Sequence, residues 1–254
     1  WLLGLNLDVS PFLLLAGSLL MAVPVCALLG AGIERLAYRP LRNAPRLAPL
    51  ITAIGVSIVL QNVAMMIWGR QYIPFPDILP HEPIHLGAAT FLPVQGVIVG
   101  LSGVLMIGLL LLVHHTRLGR AMRATAQAPS VARLMGVSVD RVIASTFVIG
   151  SVLAAVAGVM VTANYGQAHA YMGFMLGLKA FSAAVLGGIG NLAGAVVGGL
   201  LLGLIESLGA GYIGDVTGGF LGSQYQDVFA FLVLILVLVF RPSGLLGERL
   251  ADRP

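Results

Sequence analysis

Charge is what this sequence has little of. Lys, Arg, Asp and Glu together make up 9% of its 254 residues, against roughly a quarter in an ordinary soluble domain, and that scarcity excludes a water-soluble globule. Disorder is excluded as well: it needs low hydrophobicity and high net charge, whereas 58% of the residues are hydrophobic and the mean hydropathy is +0.99. The single Cys26 rules out an intrachain disulfide or a cysteine-rich metal site and leaves a small packing residue. Aromatic residues are sparse and do not interleave with basic ones, so the net charge of +4 does not describe a nucleic-acid surface. There is no Gly-x-x-x-x-Gly-Lys-Ser/Thr loop to cradle nucleotide phosphates and no Gly-x-Ser-x-Gly elbow, so neither ATP nor a serine nucleophile is expected to act on this chain. No basic segment with a small-residue cleavage site precedes Pro11, and the first residue is Trp1 rather than Met; a signal peptide is not expected.

What is present is apolar length and glycine. At roughly 20 apolar residues per crossing, five runs are long enough: Pro11 to Ile33, Leu47 to Trp68, Val94 to Val113, Val142 to Ala163 and Leu192 to Ala210. A sixth, Val228 to Phe240, is short and crosses only with Tyr225 and Arg241 as interfacial anchors. The 33 glycines suit helices that must approach closely where lipid supplies no hydrophobic drive. The expected fold is all-α: one polytopic transmembrane helical bundle over residues 1–254, embedded in membrane lipid.

Gly177 to Ala210 is too long for one upright helix and too short for two crossings. Its middle, Leu186-Gly187-Gly188-Ile189-Gly190-Asn191, breaks a helix, so Gly177 to Leu186 reads as a re-entrant half-helix and Leu192 to Ala210 as a full helix returning. The turn is assigned to Gly187, Gly188, Gly190 and Asn191. Basic residues support this topology. Glu34 to Arg46, His114 to Arg141 and the tail from Arg241 hold 12 of the 14 Lys and Arg, and only a re-entrant turn puts all three on one face, which is then cytoplasmic.

Several motifs compete with plainer readings. His81-Glu82-Pro83-Ile84-His85 matches the zinc pattern H-E-x-x-H, but the surrounding prolines disfavour the helix that would present both imidazoles together; no metal is expected. Glu206 lies deep in a span, where acids are costly. Ala195, Gly199, Gly203 and Glu206 form one stripe beside Gly194 and Gly198, so Glu206 faces protein or a water path. It reads either as a structural acceptor or, with Gly199, Gly203 and Lys179, as lining of a pathway; Lys179 alternatively snorkels to the interface.

Within the cytoplasmic loop 114–141, Pro129 suits a first helical position and Gly136 the residue past the end, giving a two-turn helix Pro129 to Met135. Ala132, Val131, Leu134 and Met135 are expected on an exposed face that fits a groove on another protein. The alternative is a helix resting on lipid headgroups, for which it is too short.

These residues also resemble a known family, the branched-chain amino-acid ABC importer permeases of the LivH type. The similar segments are Glu34-Arg-Leu-Ala-Tyr-Arg-Pro-Leu-Arg42 with Ala44-Pro-Arg-Leu-Ala-Pro-Leu-Ile51, Gly119-Arg-Ala-Met-Arg-Ala124 with Ala132-Arg-Leu-Met-Gly-Val137, Gly177-Leu-Lys-Ala-Phe181 with Val185-Leu-Gly-Gly-Ile-Gly190, and Phe240-Arg-Pro-Ser-Gly-Leu-Leu246. The resemblance implies a multi-pass protein of the bacterial inner membrane, acting without a cofactor of its own. It implies partners: a homologous second permease subunit, two cytoplasmic ABC ATPases and a periplasmic substrate-binding protein. It implies that Pro129, Ala132, Arg133, Leu134 and Gly136 belong to the ATPase-coupling helix. Ala128 departs from the family, whose members often carry Asp or Asn there, at a cost of about 1 kcal/mol in capping. Family members also begin with further apolar segments, so a native N-terminal segment is expected ahead of Trp1. The expected function is passage of branched-chain or other hydrophobic amino acids inward by alternating access, with ATP hydrolysed by the partners. The rivals are a urea or short-amide importer subunit and an autonomous secondary transporter, the latter disfavoured because Glu206 is nearly alone among intramembrane acids; a membrane zinc protease would rest only on His81 to His85.

Overall fold

The computed structural model describes residues 11–42, 44–45, 48–75, 84–86, 89–188, 190–216, 225–241 and 243–247. They form two compact units, Trp1–Tyr171 and Met172–Pro254.

The first unit is organised by α1 (Pro11–Ile33) and α6 (Val139–Tyr165), which pack along each other. Their closeness has a local cause: a Cβ on Gly30 would run into the Ser151 side chain, so glycine lets the two backbones meet. Tyr38 and Phe147 meet at the same contact, with ring centroids 4.8 Å apart and the planes tilted by 51°. Helix α1 does not stop at Ile33 but widens into a π-helical turn, Glu34–Tyr38, and then tightens into a 3₁₀ turn, Arg39–Leu41. Between them lie α2 (Ala48–Trp68), α3 (Pro93–His115), α4 (Arg117–Gln127) and α5 (Pro129–Leu134). None of the central apolar window of α2 or α3 is buried by protein, which suits helices whose solvent is lipid. Short antiparallel pairs join β1 (Ile73–Pro74) to β4 (Gln167–Ala168) and β2 (Ile84–Leu86) to β3 (Ala89–Phe91).

The second unit is a three-helix cluster of α7 (Met172–Gly187), α8 (Leu192–Val216) and α9 (Gln226–Phe240). Its core is Leu186 and Leu202, with Leu234, Val237 and Leu245 packed on them. The glycine-rich turn lies between α7 and α8, but α7 begins earlier than the apolar count suggests, at Met172 rather than Gly177. At 16 residues, or about 24 Å at 1.5 Å per residue, it is shorter than a bilayer core. Five helices among the described residues are long and apolar enough to cross a membrane, with Met172–Gly187 and Phe231–Phe240 as shorter apolar helices.

Candidate functional site

Three clusters collect the residues that carry chemistry. The first is the segment between α3 and α6. Thr116 begins it by accepting a hydrogen bond at Oγ1 from the Gly119 amide, 3.0 Å away, which caps α4. A Cβ on Gly119 would strike the last carbonyls of α3, so the chain turns back sharply here, and Arg123 donates to the Val113 carbonyl at the same corner. Within loop 114–141 the sequence suggests only the helix at Pro129, and α4 is an addition. Its cue was available: Thr116 as cap and Arg117, Arg120 and Arg123 on one helical face.

Helix α5 follows after one residue. Pro129 stands at its first position and Ala128 gives no side-chain cap. Its end is a Schellman closure: Gly136 has φ +83°, its amide donates to Arg133 O at 3.0 Å, and the Val137 amide donates to Ala132 O at 3.0 Å. Leu134 and Met135 are 86% and 80% exposed and Val131 is 55% exposed. Ala132 is not on that face. It is 3% exposed, turned into the protein, because on so short a helix the only anchor against the fold is the side opposite Leu134. The expectation that Ala132 lies on the exposed face is therefore corrected, whereas Leu134 and Arg133 do face outward.

Beside α5 sits an ion cluster that joins residues far apart in sequence. Arg42 places one guanidinium nitrogen on Glu34 and another on Asp140. Arg39 reaches Asp140 at 3.7 Å and Arg133 reaches it at 3.9 Å. Two of the three arginine-rich segments thus meet at one end of the first unit, the arrangement expected if both lie on one membrane face. Glu34 is 4% exposed; an acid that deep needs a partner, and Arg42 supplies it.

The second cluster is the α7–α8 turn. Gly188 and Gly190 have φ of +111° and +97°, conformations that favour glycine. Cβ atoms on Gly187 and Gly198 would collide with the backbone of the facing helix, so Gly194 and Gly198, rather than Gly199 and Gly203, line the close approach; Gly203 has open space beside it. Asn191 caps α8 by accepting from the Gly194 amide at 3.0 Å. The tail after α9 closes the turn from outside: Leu245 N donates to Leu186 O and Leu246 N to Gly187 O, both at 2.9 Å.

The third cluster is Lys179 on α7, Glu206 on α8 and Asp227 in the first turn of α9. The ammonium lies 3.0 Å from Glu206 and 2.7 Å from Asp227. Lys179 therefore does not snorkel away; it bridges the three helices. Asp227 carries no signal of this role in the sequence, because it falls one residue before the apolar run that marks α9.

Among the described residues no three of His, Cys, Asp and Glu are grouped to hold a metal ion. Residues 81–83 of the H-E-x-x-H match lie outside the described residues, and His85 belongs to the strand β2, not a helix.

Residues 2–238 match the family described as branched-chain amino acid transport system / permease component. The chain is 43% identical over 252 residues, 97% of its own length and 79% of the relative's, to the high-affinity branched-chain amino acid transport system permease protein LivH of Salmonella typhimurium. It is 44% identical over 248 residues, 96% of this chain and 78% of the relative, to the corresponding permease protein BraD of Pseudomonas aeruginosa. A more distant similarity, 27% over 199 residues covering 77% of this chain and 57% of the relative, is to the autoinducer 2 import system permease protein LsrC of Photorhabdus luminescens. No solved structure matches.

Proposed function

The chain belongs to the family of branched-chain amino acid transport system permease components, and from that premise we propose that it is one of two homologous pore subunits of an ATP-driven importer in a bacterial inner membrane. A periplasmic binding protein delivers branched-chain or related hydrophobic amino acids to the outer face. Two cytoplasmic ATPases bind the inner face, and their cycle alternates the access of the pore. The chain itself carries no hydrolytic step.

The observation that carries this reading is α5. It is fixed to the fold by Ala132 and closed at its end by Gly136, while Val131, Leu134 and Met135 stand exposed. Apolar side chains on a short, rigid helix outside the spans suit a groove in a partner. Pro129 sets the start of that helix and Arg133 stands exposed on it. Glu206 and Lys179 belong to the pathway wall under this reading, with Gly199 and Gly203 on the same stripe of α8 and open space beside Gly203.

Leu134→Asp tests it. The residue is 86% exposed, so the isolated chain should fold as before, but a docked Asp would be buried without a partner at a cost of several kcal/mol. Co-purification of the ATPase pair in mild detergent and ATP-dependent leucine uptake should fall together. Retention of both would remove α5 as the docking element.

A further inference from the structure

Asp140 stands where three segments converge. It is in the first turn of α6, and its carboxylate faces Arg42 and Arg39 of the turn that ends α1, and Arg133 of α5. Behind it Arg42 uses its second guanidinium nitrogen on buried Glu34. The two kinds of contact differ in strength. Arg42 with Glu34 is largely withdrawn from water, its side chains 21% and 6% exposed, and acts as a permanent fastening. Asp140 is 51% exposed, and Arg39 and Arg133 are 51% and 63% exposed, so its individual pairs are weak and can be remade as the groups move.

We infer that Asp140 is a positioning residue that transmits displacement of α5 to the cytoplasmic end of α1, so that α1 and α6 move together when a partner pushes on α5. Two features make this mechanically sensible. The link from α5 to α6 is short and begins with the fixed Gly136 closure, so a push on Leu134 and Met135 reaches the start of α6 with little slack. Glu34 lies in the π-helical turn continuous with α1, and Arg42 ties that turn to Asp140. The planar fork of Arg42 serves both carboxylates at once, which a lysine ammonium could not do with the same geometry. Farther along, the Gly30 contact with Ser151 holds the same two helices together, so the pair can tilt as one body.

The inference rests on α5 being the docking helix, and its test separates the two ideas. The complex with its co-purifying ATPase pair is reconstituted in liposomes with the binding protein, and leucine transported per ATP hydrolysed is measured for Asp140→Asn, Asp140→Glu and Leu134→Asp. Asp140→Asn should keep the ATPases bound and the melting temperature unchanged. Leucine moved per ATP should fall roughly two- to five-fold, the scale of one part-exposed charged contact, and Asp140→Glu should recover most of it. An unchanged ratio, with or without a lowered melting temperature, would reduce the cluster to a staple and overturn the inference. If Leu134→Asp releases the ATPases while Asp140→Asn keeps a normal ratio, the docking reading stands and this inference alone falls; if Leu134→Asp keeps them, both fall.

Discussion

The side-chain amide of Asn191 donates to the backbone carbonyl of Leu246 across 2.9 Å, joining the turn between α7 and α8 to the tail that follows α9. The same side chain accepts from Gly194 to cap α8. One residue therefore holds both the helix start and the strip of chain that covers it, and Gly187, Gly188 and Gly194 nearby have little room to change.

Gly188→Ala should be destabilising for two separate reasons. Its φ of +111° costs an alanine on the order of 1 kcal/mol, and the new Cβ would lie 2.6 Å from Gly247 Cα. Thermal unfolding in detergent should show a clear drop, and Gly190→Ala, with a positive φ but open space beside it, a smaller one. Equal effects at both sites would mean that the tail does not press on the turn.

Lys179→Met would leave Glu206 and Asp227 facing each other without their shared cation. Because the three side chains retain 17–39% exposure, the expected loss is about 1–3 kcal/mol rather than the full cost of a buried charge. Adding Glu206→Gln and Asp227→Asn to Lys179→Met should restore much of the melting temperature. If the triple variant is no better than Lys179→Met, the carboxylates do not repel and the bridge is not what joins these helices.

Ala132→Asp and Leu134→Asp should behave as opposites. Ala132 is 3% exposed and Leu134 86%, so a carboxylate at 132 has to be forced into the fold at several kcal/mol, lowering yield and detergent stability, whereas one at 134 leaves both intact. Equal yields would show that α5 is seated differently.

Ser243→Cys in a Cys26→Ser background reports the side of the tail. With Arg241 just before it and the other arginine-rich segments sharing ion pairs at one end of the first unit, the tail should be cytoplasmic. A membrane-impermeant thiol reagent applied to intact cells should leave it unlabelled; labelling would invert or break the topology.

The spans were legible because a bilayer demands uninterrupted apolar length, and the run Pro11 to Ile33 is the helix found. Pro129 and Gly136 also announced their helix by chemistry confined to a few residues. What escaped were pairings between distant residues. Arg42 and Asp140 are 98 apart in sequence, and a list of arginines reports a membrane face without saying which acid each one meets. The side on which Ala132 lies is not legible for a related reason: a two-turn helix has an apolar residue on every side, and only its neighbours decide which one is inside.

The closure by the tail also bears on the order in which the protein is made. Leu246 leaves the ribosome 55 residues after Asn191, so the α7–α8 hairpin is synthesised before the segment whose amides satisfy the Leu186 and Gly187 carbonyls. Until that segment arrives those two carbonyls lack these partners, which makes docking of the tail the step that completes the second unit.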